Sequence, residues 1–153
     1  MRKRSSYKPK GIRIDAVNWV ISGLKPISNA GDALIVLKAK NHSAMTEITQ
    51  GRGNKDQIDF LINALNMAEA YAVHGKGQDW IPEINLAQNA LLTMARRGLE
   101  KGKFLFTGEE LKIVTLAMDV HDLQLDKSTV KELERMCEYV NKQIVLGKAR
   151  RID

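Results

Sequence analysis

Apolar residues recur along most of this chain at steps of three and four positions, and no segment alternates apolar and polar residues over a sustained length. The first spacing places side chains on one face of an α-helix, whereas alternation is typical of a β-strand with one buried face. The pattern therefore predicts an all-α fold, a compact bundle of about five to six helices. These helices are expected to begin near residues 15, 29–32, 55, 82, 107 and 127.

Residues with known effects on helix ends mark several of these boundaries. Pro26 ends the first helix, residues 15–24, because a residue that precedes proline is driven out of the α region. Gly51 ends the second helix, and Asn54 caps the third through a side-chain oxygen that accepts from a backbone N–H. The sequence TGEE at 107–110 has the form of a capping box, and it predicts the start of the fifth helix.

The apolar stripes of these helices identify the expected core. The last two stripes repeat at alternating steps of three and four, the spacing of an a/d seam in antiparallel or coiled-coil-like packing. They predict either a hairpin inside one chain or a homodimer through the fifth and sixth helices. The polar stretch KAKNHS, residues 38–43, is expected to bend or split the second helix. The core positions are Ile58, Leu61, Ile62, Leu65, Ala68 and Ala72 in the third helix, Ile84, Ala87, Leu91, Met94, Ala95 and Leu99 in the fourth, Leu111, Val114, Met118, His121 and Leu125 in the fifth, and Val130, Leu133, Cys137, Val140 and Ile144 in the sixth.

Length and composition narrow the class of protein. A chain of 153 residues is long enough for one domain with its own core, built here from aliphatic residues and methionine because only 5% of residues are aromatic. Cys137 is the only cysteine, so the sequence offers neither an intrachain disulfide nor a thiolate metal cluster. No stretch is long and apolar enough for a membrane span or a secretory signal. We therefore expect a cytoplasmic protein that contacts no membrane and uses no cofactor.

The excess of basic residues is concentrated at the two ends of the chain. The net charge is +6, and residues 1–13, MRKRSSYKPKGIR, contain six basic and no acidic residues. Residues 148–153 add three basic residues and one acidic residue, whereas residues 14–147 contain 15 basic and 17 acidic residues. This distribution predicts a mobile basic arm over 1–13, a single helical domain over 14–147 and a short basic tail over 148–153.

The arm and two further basic clusters form a candidate nucleic-acid site. The loop GRGNK at residues 51–55 precedes a helix and could cradle a phosphate, although glycines in such a loop more often only end a helix. An arginine pair near the end of the fourth helix extends the path, and it also complements the helix dipole. The predicted contacts are Arg2, Lys3, Arg4, Lys8, Lys10, Arg13, Arg52, Lys55, Arg96 and Arg97.

Residues 122–136, DLQLDKSTVKELERM, have the outline of a helix-turn-helix. In that interpretation Ser128, Thr129 and Lys131 would face a DNA groove. Glutamates at positions 132, 134 and 138 accompany them and would repel phosphates, so the basic arm is the preferred nucleic-acid element.

The reactive side chains form no recognisable catalytic or metal-binding pattern in the sequence. Asp119, His121 and Asp122 come closest to a ligand cluster, but His121 lies in an apolar stripe, while the two aspartates share another face. A hydrogen-bonded core histidine is therefore the preferred interpretation of His121. Cys137 also lies in a stripe, where a buried thiol acts as a small hydrophobic group. We predict no catalytic residue and no metal site, and hence no enzyme.

Two stretches, KNHSAMTEITQGRGNKDQIDFLINALNMAEA and FTGEELKIVTLAMDVHDLQLDKSTVKELERM, resemble small helical proteins encoded in early or accessory regions of bacteriophages and prophages. The basic opening RKRSSYKPKGIR is similar to theirs as well. The resemblance covers most of the chain and transfers no functional residue. It implies a product in the bacterial cytoplasm that binds a host protein or ribonucleoprotein complex, of the defence or gene-expression machinery, and modulates or inhibits it. The alternative is a nucleic-acid-binding protein that places its basic arm on DNA or RNA.

Overall fold

The computed structural model describes residues 30–150, which form five α-helices and a short 3₁₀ helix. The elements are α1 (Ala30–Thr49), α2 (Lys55–Val73), the 3₁₀ helix Gln78–Trp80, α3 (Ile81–Lys101), α4 (Gly108–Asp126) and α5 (Val130–Val145). No strand occurs within this part of the chain, and the all-α prediction is confirmed. None of the described helices is long and apolar enough to cross a membrane. The predicted arm over 1–13, the predicted first helix over 15–24 and residues 151–153 of the tail lie outside the described residues.

Helix α2 is the centre of the bundle, since it packs against each of the other four α-helices. Its sequence explains this position, because apolar and small residues occur on every face, as expected of a helix surrounded by protein. Residues 61–68 are all buried. Helix α1 lies antiparallel to α4, since Lys38 pairs with Asp126 and, one turn further along α1, His42 pairs with Asp122.

Side-chain caps fix where three of the helices begin. Asn54 and Gln57 form a capping box at the start of α2. The backbone N–H of Asn54 donates to the Gln57 side chain at 2.7 Å, and the backbone N–H of Gln57 donates to the Asn54 side chain at 3.4 Å. Thr107 and Glu110 form the capping box that the sequence predicts for α4, with bonds of 2.8 and 3.2 Å. Thr129 caps α5 by accepting a backbone N–H at 3.1 Å, so this helix begins a few residues later than predicted.

The polar stretch at residues 38–43 does not interrupt α1, and the predicted bend or split of this helix is wrong. Lys38 and His42 pair with aspartates of α4, and Ser43 is exposed. A helix accepts polar residues at such positions, because their side chains find partners or solvent while the backbone hydrogen bonds stay intact. Of this stretch only Asn41 is buried.

Leu99 was expected in the core of α3 but is 48% exposed. The inward position of this turn is taken by Gly98, which follows the buried Ala95 at a step of three. The ring of Phe104 lies so close to Gly98 that a β-carbon there would be 2.2 Å from the Phe104 Cδ1. The aromatic ring of the following loop thus fills the space that a side chain at position 98 would need.

The stripes of α4 and α5, the fifth and sixth predicted helices, do not form one continuous seam. Val114 and Met118 of α4 pack in a cluster with residues of α1, α2 and α3. Leu133 and Cys137 of α5 pack with Leu125 of α4 in a second cluster, against residues of α1 and α2. The predicted hairpin seam is wrong, because α4 packs against α3 and α2, whereas α5 packs against α2 and α1. A homodimer through α4 and α5 stays a prediction. Because the stripe residues Val114, Met118, Leu133 and Cys137 are buried within one chain, the dimer contact would have to use residues outside these stripes.

Cys137 is a core residue with 5% of its surface exposed. Burial, together with the negative charges of Glu134 and Glu138, raises the pKa of its thiol to about 12. Because the thiolate is the nucleophilic and metal-binding form, Cys137 acts as a small apolar side chain at neutral pH.

Candidate functional site

The loops that follow α1 and α3 lie side by side at one end of the bundle. Lys103 passes so close to Gly51 that a β-carbon on this glycine would lie 3.2 Å from the Lys103 Cε. Gly51 also has a φ of 75°, so its left-handed conformation and its close neighbour both favour a residue without a side chain. This packing brings the basic residues of the loop 51–55 to the same end of the bundle as those at the end of α3.

Two of the four described residues of the predicted nucleic-acid site are held in ion pairs. Arg52 donates to both carboxylate oxygens of Glu47, at 2.9 and 3.1 Å. Arg97 donates to both carboxylate oxygens of Glu110, at 2.9 and 2.6 Å. In each pair the hydrogen bond from the guanidinium lowers the pKa of the glutamate. The structure thus brings these arginines to one end of the bundle but balances their charges.

The other predicted nucleic-acid contacts fall into two groups. Lys55 and Arg96 are exposed at the same end of the bundle. The six basic residues of the arm lie outside the described residues: Arg2, Lys3, Arg4, Lys8, Lys10 and Arg13. A continuous basic surface would therefore depend on the arm.

Asp119, His121 and Asp122 do not come together as one site. His121 is 1% exposed, and its Nδ1 donates to Oε1 of Gln124 at 3.1 Å. Gln124 Nε2 donates to two backbone carbonyls, at 3.0 and 2.8 Å, which fixes Oε1 as the acceptor for the histidine. Asp119 is exposed, and Asp122 pairs with a residue of α1. The interpretation of His121 as a hydrogen-bonded core histidine is confirmed.

Acid is expected to destabilise the fold through His121. Burial lowers the pKa of His121 below its ordinary value of 6.5, opposed only in part by its bond with Gln124 and by the charge of Asp122. The unfolded chain takes up a proton near pH 6.5 and the folded chain resists it, so the free energy of unfolding falls as the pH drops below that value. The slope for one such group is at most about 1.4 kcal/mol per pH unit.

Urea titrations of the wild type and His121→Gln between about pH 7.5 and pH 5, above the range in which ordinary carboxylates titrate, measure this effect. We expect the variant to lose part of the pH dependence. An identical pH dependence in both proteins would show that His121 does not control it.

The structure forms a histidine–aspartate pair that the sequence did not predict. The Nε2 of His42 lies 2.5 Å from the Oδ2 of Asp122, in residues 80 positions apart. An ionised carboxylate only accepts, so Nε2 carries the hydrogen and Nδ1 of the neutral ring is an acceptor. Lys38 donates to Asp126 at 2.6 Å beside this pair. The sequence did contain one signal for this arrangement. Lys38 and His42 are four residues apart on α1, as are Asp122 and Asp126 on α4, and antiparallel packing brings the two sets opposite each other.

No group of three or more histidine, cysteine or acidic side chains is placed to hold a metal ion in the described part of the chain. The contact of His42 with Asp122 joins α1 to α4. What this pair offers chemically is a fixed imidazole orientation with one ring nitrogen still available.

A second unpredicted feature is an exposed apolar surface on the outer side of α4. Leu116 and Leu123 are 41% and 61% exposed, and they lie seven residues apart, hence on the same face of the helix. Trp80 is 42% exposed and lines a groove of about 350 Å³ together with Val120 and Leu123. We call the exposed Trp80, Leu116 and Leu123, together with the buried Val120 that lines the groove, the Trp80–Leu123 surface. The signal in the sequence was the pair of leucines that fall outside the buried stripe of α4.

Hydrogen bonds hold the loop beside this surface in place. Lys76 donates to the carbonyl of Lys127 at 2.7 Å and pairs with Glu132. Gln124 donates to the carbonyl of Lys76 at 2.8 Å. Trp80 follows directly in the 3₁₀ helix and is thus presented from a fixed backbone. A side chain presented in this way loses less conformational freedom when a partner covers it.

Three comparisons of this chain with known proteins each give no match. No protein-family model matches the sequence, no curated protein is significantly similar to it, and no solved structure has a significantly similar fold.

Proposed function

We propose that this protein acts in the bacterial cytoplasm by binding a host protein or ribonucleoprotein complex of the defence or gene-expression machinery, and that it thereby modulates or inhibits this complex. In this proposal the protein is not an enzyme, and the Trp80–Leu123 surface is the contact. The observation that supports it is the exposure of Trp80, Leu116 and Leu123, at 42%, 41% and 61%, beside the buried stripe of α4.

Exposed apolar side chains of this size favour association, because covering them removes apolar area from water at roughly 25 cal/mol per Å². Tryptophan is the residue most enriched among those that dominate protein–protein binding energy. The groove between Trp80, Val120 and Leu123 is expected to receive an apolar side chain of the partner. Lys127 on the rim of this groove favours acidic residues around that side chain.

Capture from nuclease-treated bacterial lysate tests the proposal. The full chain is expected to retain a stoichiometric partner, and Leu123→Asp is expected to retain at least about tenfold less of it. The reason is that the new carboxylate would be buried without a partner when the surface is covered. Nuclease treatment removes partners that are held only through nucleic acid.

Val145→Asp is the matched control, since Val145 is 83% exposed in the last turn of α5. It likewise replaces an exposed aliphatic side chain by aspartate, on another element, and should leave capture unchanged. Equal capture by wild type and Leu123→Asp, or no stoichiometric partner from lysates of several bacteria, would contradict the proposal.

The alternative function is nucleic-acid binding led by the basic arm. The observation in its favour is the convergence of the 51–55 loop with the end of α3, where Lys55 and Arg96 are exposed. If each of the six basic residues in 1–13 neutralises one phosphate, log affinity for duplex DNA falls with log salt with a slope of about −5. Gel shifts of the full chain and of a chain without residues 1–13 decide this alternative. Equal binding, or none in either form, removes it.

A further inference from the structure

A groove between α1 and α4 lies beside the His42–Asp122 pair. It has a volume of about 350 Å³ and is lined by residues of both helices, including His42 and Asp119. We propose that this groove binds an aliphatic ammonium group, that of a small free amine or of a lysine side chain. This groove shares no lining residue with the groove of Trp80 and Leu123, and the proposal goes beyond the proposed function.

The groove is lined by three fixed hydrogen-bond acceptors, beside Gln50 and Thr115, whose side chains can donate or accept. Thr46 and Thr49 donate their hydroxyl hydrogens to backbone carbonyls one turn back, at 3.0 and 2.7 Å. Each threonine oxygen is therefore left with lone pairs only. Asp119 adds an exposed carboxylate that makes no ion pair with a described residue. An ammonium group donates three hydrogen bonds and accepts none, so it matches the acceptors of Thr46, Thr49 and Asp119.

The charges around the groove also favour a cation. Asp119 and Asp122 contribute two negative charges, and a protonated His42 would cancel only one of them. Lys38 is one turn away on α1, but its ammonium is held by Asp126 at 2.6 Å. The carboxylates of Asp119 and Asp122 therefore outnumber the single charge that His42 can carry at this groove.

The apolar part of the lining indicates the rest of the ligand. Met45, Leu111 and Met118 line the same groove, and Met118 is only 2% exposed. Methionine side chains adapt their shape and pack well against alkyl chains. The expected ligand thus carries several methylene groups behind its ammonium group, unlike a hydrated inorganic cation.

Titration of the full chain with n-pentylammonium, followed by amide NMR, tests the site. We expect saturable shifts of the amide signals of Thr46, Thr49 and Asp119. At matched ionic strength, n-pentanol has the same alkyl chain without the charge and should give no saturable shift. A parallel titration with N-acetyl-lysine methylamide distinguishes the sources: tighter binding of this compound indicates a lysine side chain, and tighter binding of n-pentylammonium indicates a free amine.

Two variants assign the ammonium contacts. Asp119→Asn should weaken binding about tenfold, and Thr46→Val, which keeps the shape and removes one acceptor, should weaken it less. Asp79→Asn is the control, because Asp79 is an exposed aspartate in the 3₁₀ helix. The NMR spectra show directly whether each variant is folded. Shifts that do not saturate, equal binding of n-pentanol, or unchanged affinity of Asp119→Asn would overturn the proposal.

Discussion

Replacing Leu125 by alanine is expected to lower the free energy of unfolding by about 2–5 kcal/mol. Leu125 is fully buried, at 0% exposure, and packs in one cluster with Met67 and Tyr71 of α2 and Leu133 of α5. The substitution removes three buried carbons and leaves a cavity where helices from three parts of the chain meet. Because the surrounding side chains belong to different helices, they can close this cavity only in part.

Leu123→Ala is the matched control for this measurement. Leu123 lies two residues from Leu125 on the same helix but is 61% exposed, so its truncation should change stability by no more than about 0.5 kcal/mol. Urea titrations of both variants give the comparison. Similar losses for the two leucines would mean that the outer face of α4 is also packed, which would contradict the exposed Trp80–Leu123 surface.

Replacing Asn41 by leucine is expected to raise the free energy of unfolding by about 1–3 kcal/mol. Asn41 is 0% exposed, and neither its Oδ1 nor its Nδ2 has a hydrogen-bond partner in the described part of the chain. A buried amide without partners carries the full cost of removal from water. Leucine has nearly the same branched shape, so it adds apolar contact without forcing the neighbouring helices apart.

Asn66→Leu should have the opposite sign and is the control for this prediction. Asn66 is also buried, at 4% exposure, but it donates to the carbonyl of Arg150 at 2.8 Å and accepts from Gln88 at 3.2 Å. Its replacement removes both hydrogen bonds and leaves Gln88 only its bond to Glu69, at 2.8 Å, so stability should fall. Thermal or urea unfolding measures both variants, and a loss of stability in Asn41→Leu would show that the Asn41 amide is satisfied in solution.

Local sequence signals predicted most of the fold. Asn54 and Thr107 start their helices where the capping patterns place them, because a cap depends only on residues within one turn. The buried stripe of α2, and that of α4 from Val114 onward, follow from periodicity, whereas the predicted core residue Leu111 is only partly buried. His121 lies in the core as its position in the stripe indicates. These features are local, so a single sequence contains the information that specifies them.

The features that depend on helix packing were not predicted. His42 and Asp122 are 80 residues apart, and only the antiparallel contact of α1 with α4 brings them together. Leu99 is exposed, whereas Gly98 is buried against the Phe104 ring of the next loop, a contact that the stripe spacing does not contain. The assignment of α4 and α5 to a common seam failed for a similar reason, since stripe spacing identifies a buried face but not the helix that covers it.

The Trp80–Leu123 surface and the basic residues Lys55 and Lys103 lie near opposite ends of α2. Lys55 is the first residue of this helix, and Lys76 follows its last turn, so about 28 Å of helix separates them. Lysines near the two ends therefore report on separate surfaces. Lys127 lines the groove of Trp80 and Leu123, whereas Lys103 lies beside Gly51 at the other end.

Lysine-specific cross-linking of the captured complex, followed by mass spectrometry, tests the central claim most directly. If the partner covers the Trp80–Leu123 surface, cross-links to the partner are expected from Lys127. These Lys127 cross-links should disappear in the Leu123→Asp variant and persist in the Val145→Asp variant. Cross-links to the partner that come only from Lys55 and Lys103 would contradict the account, because they would place the partner at the opposite end of the bundle.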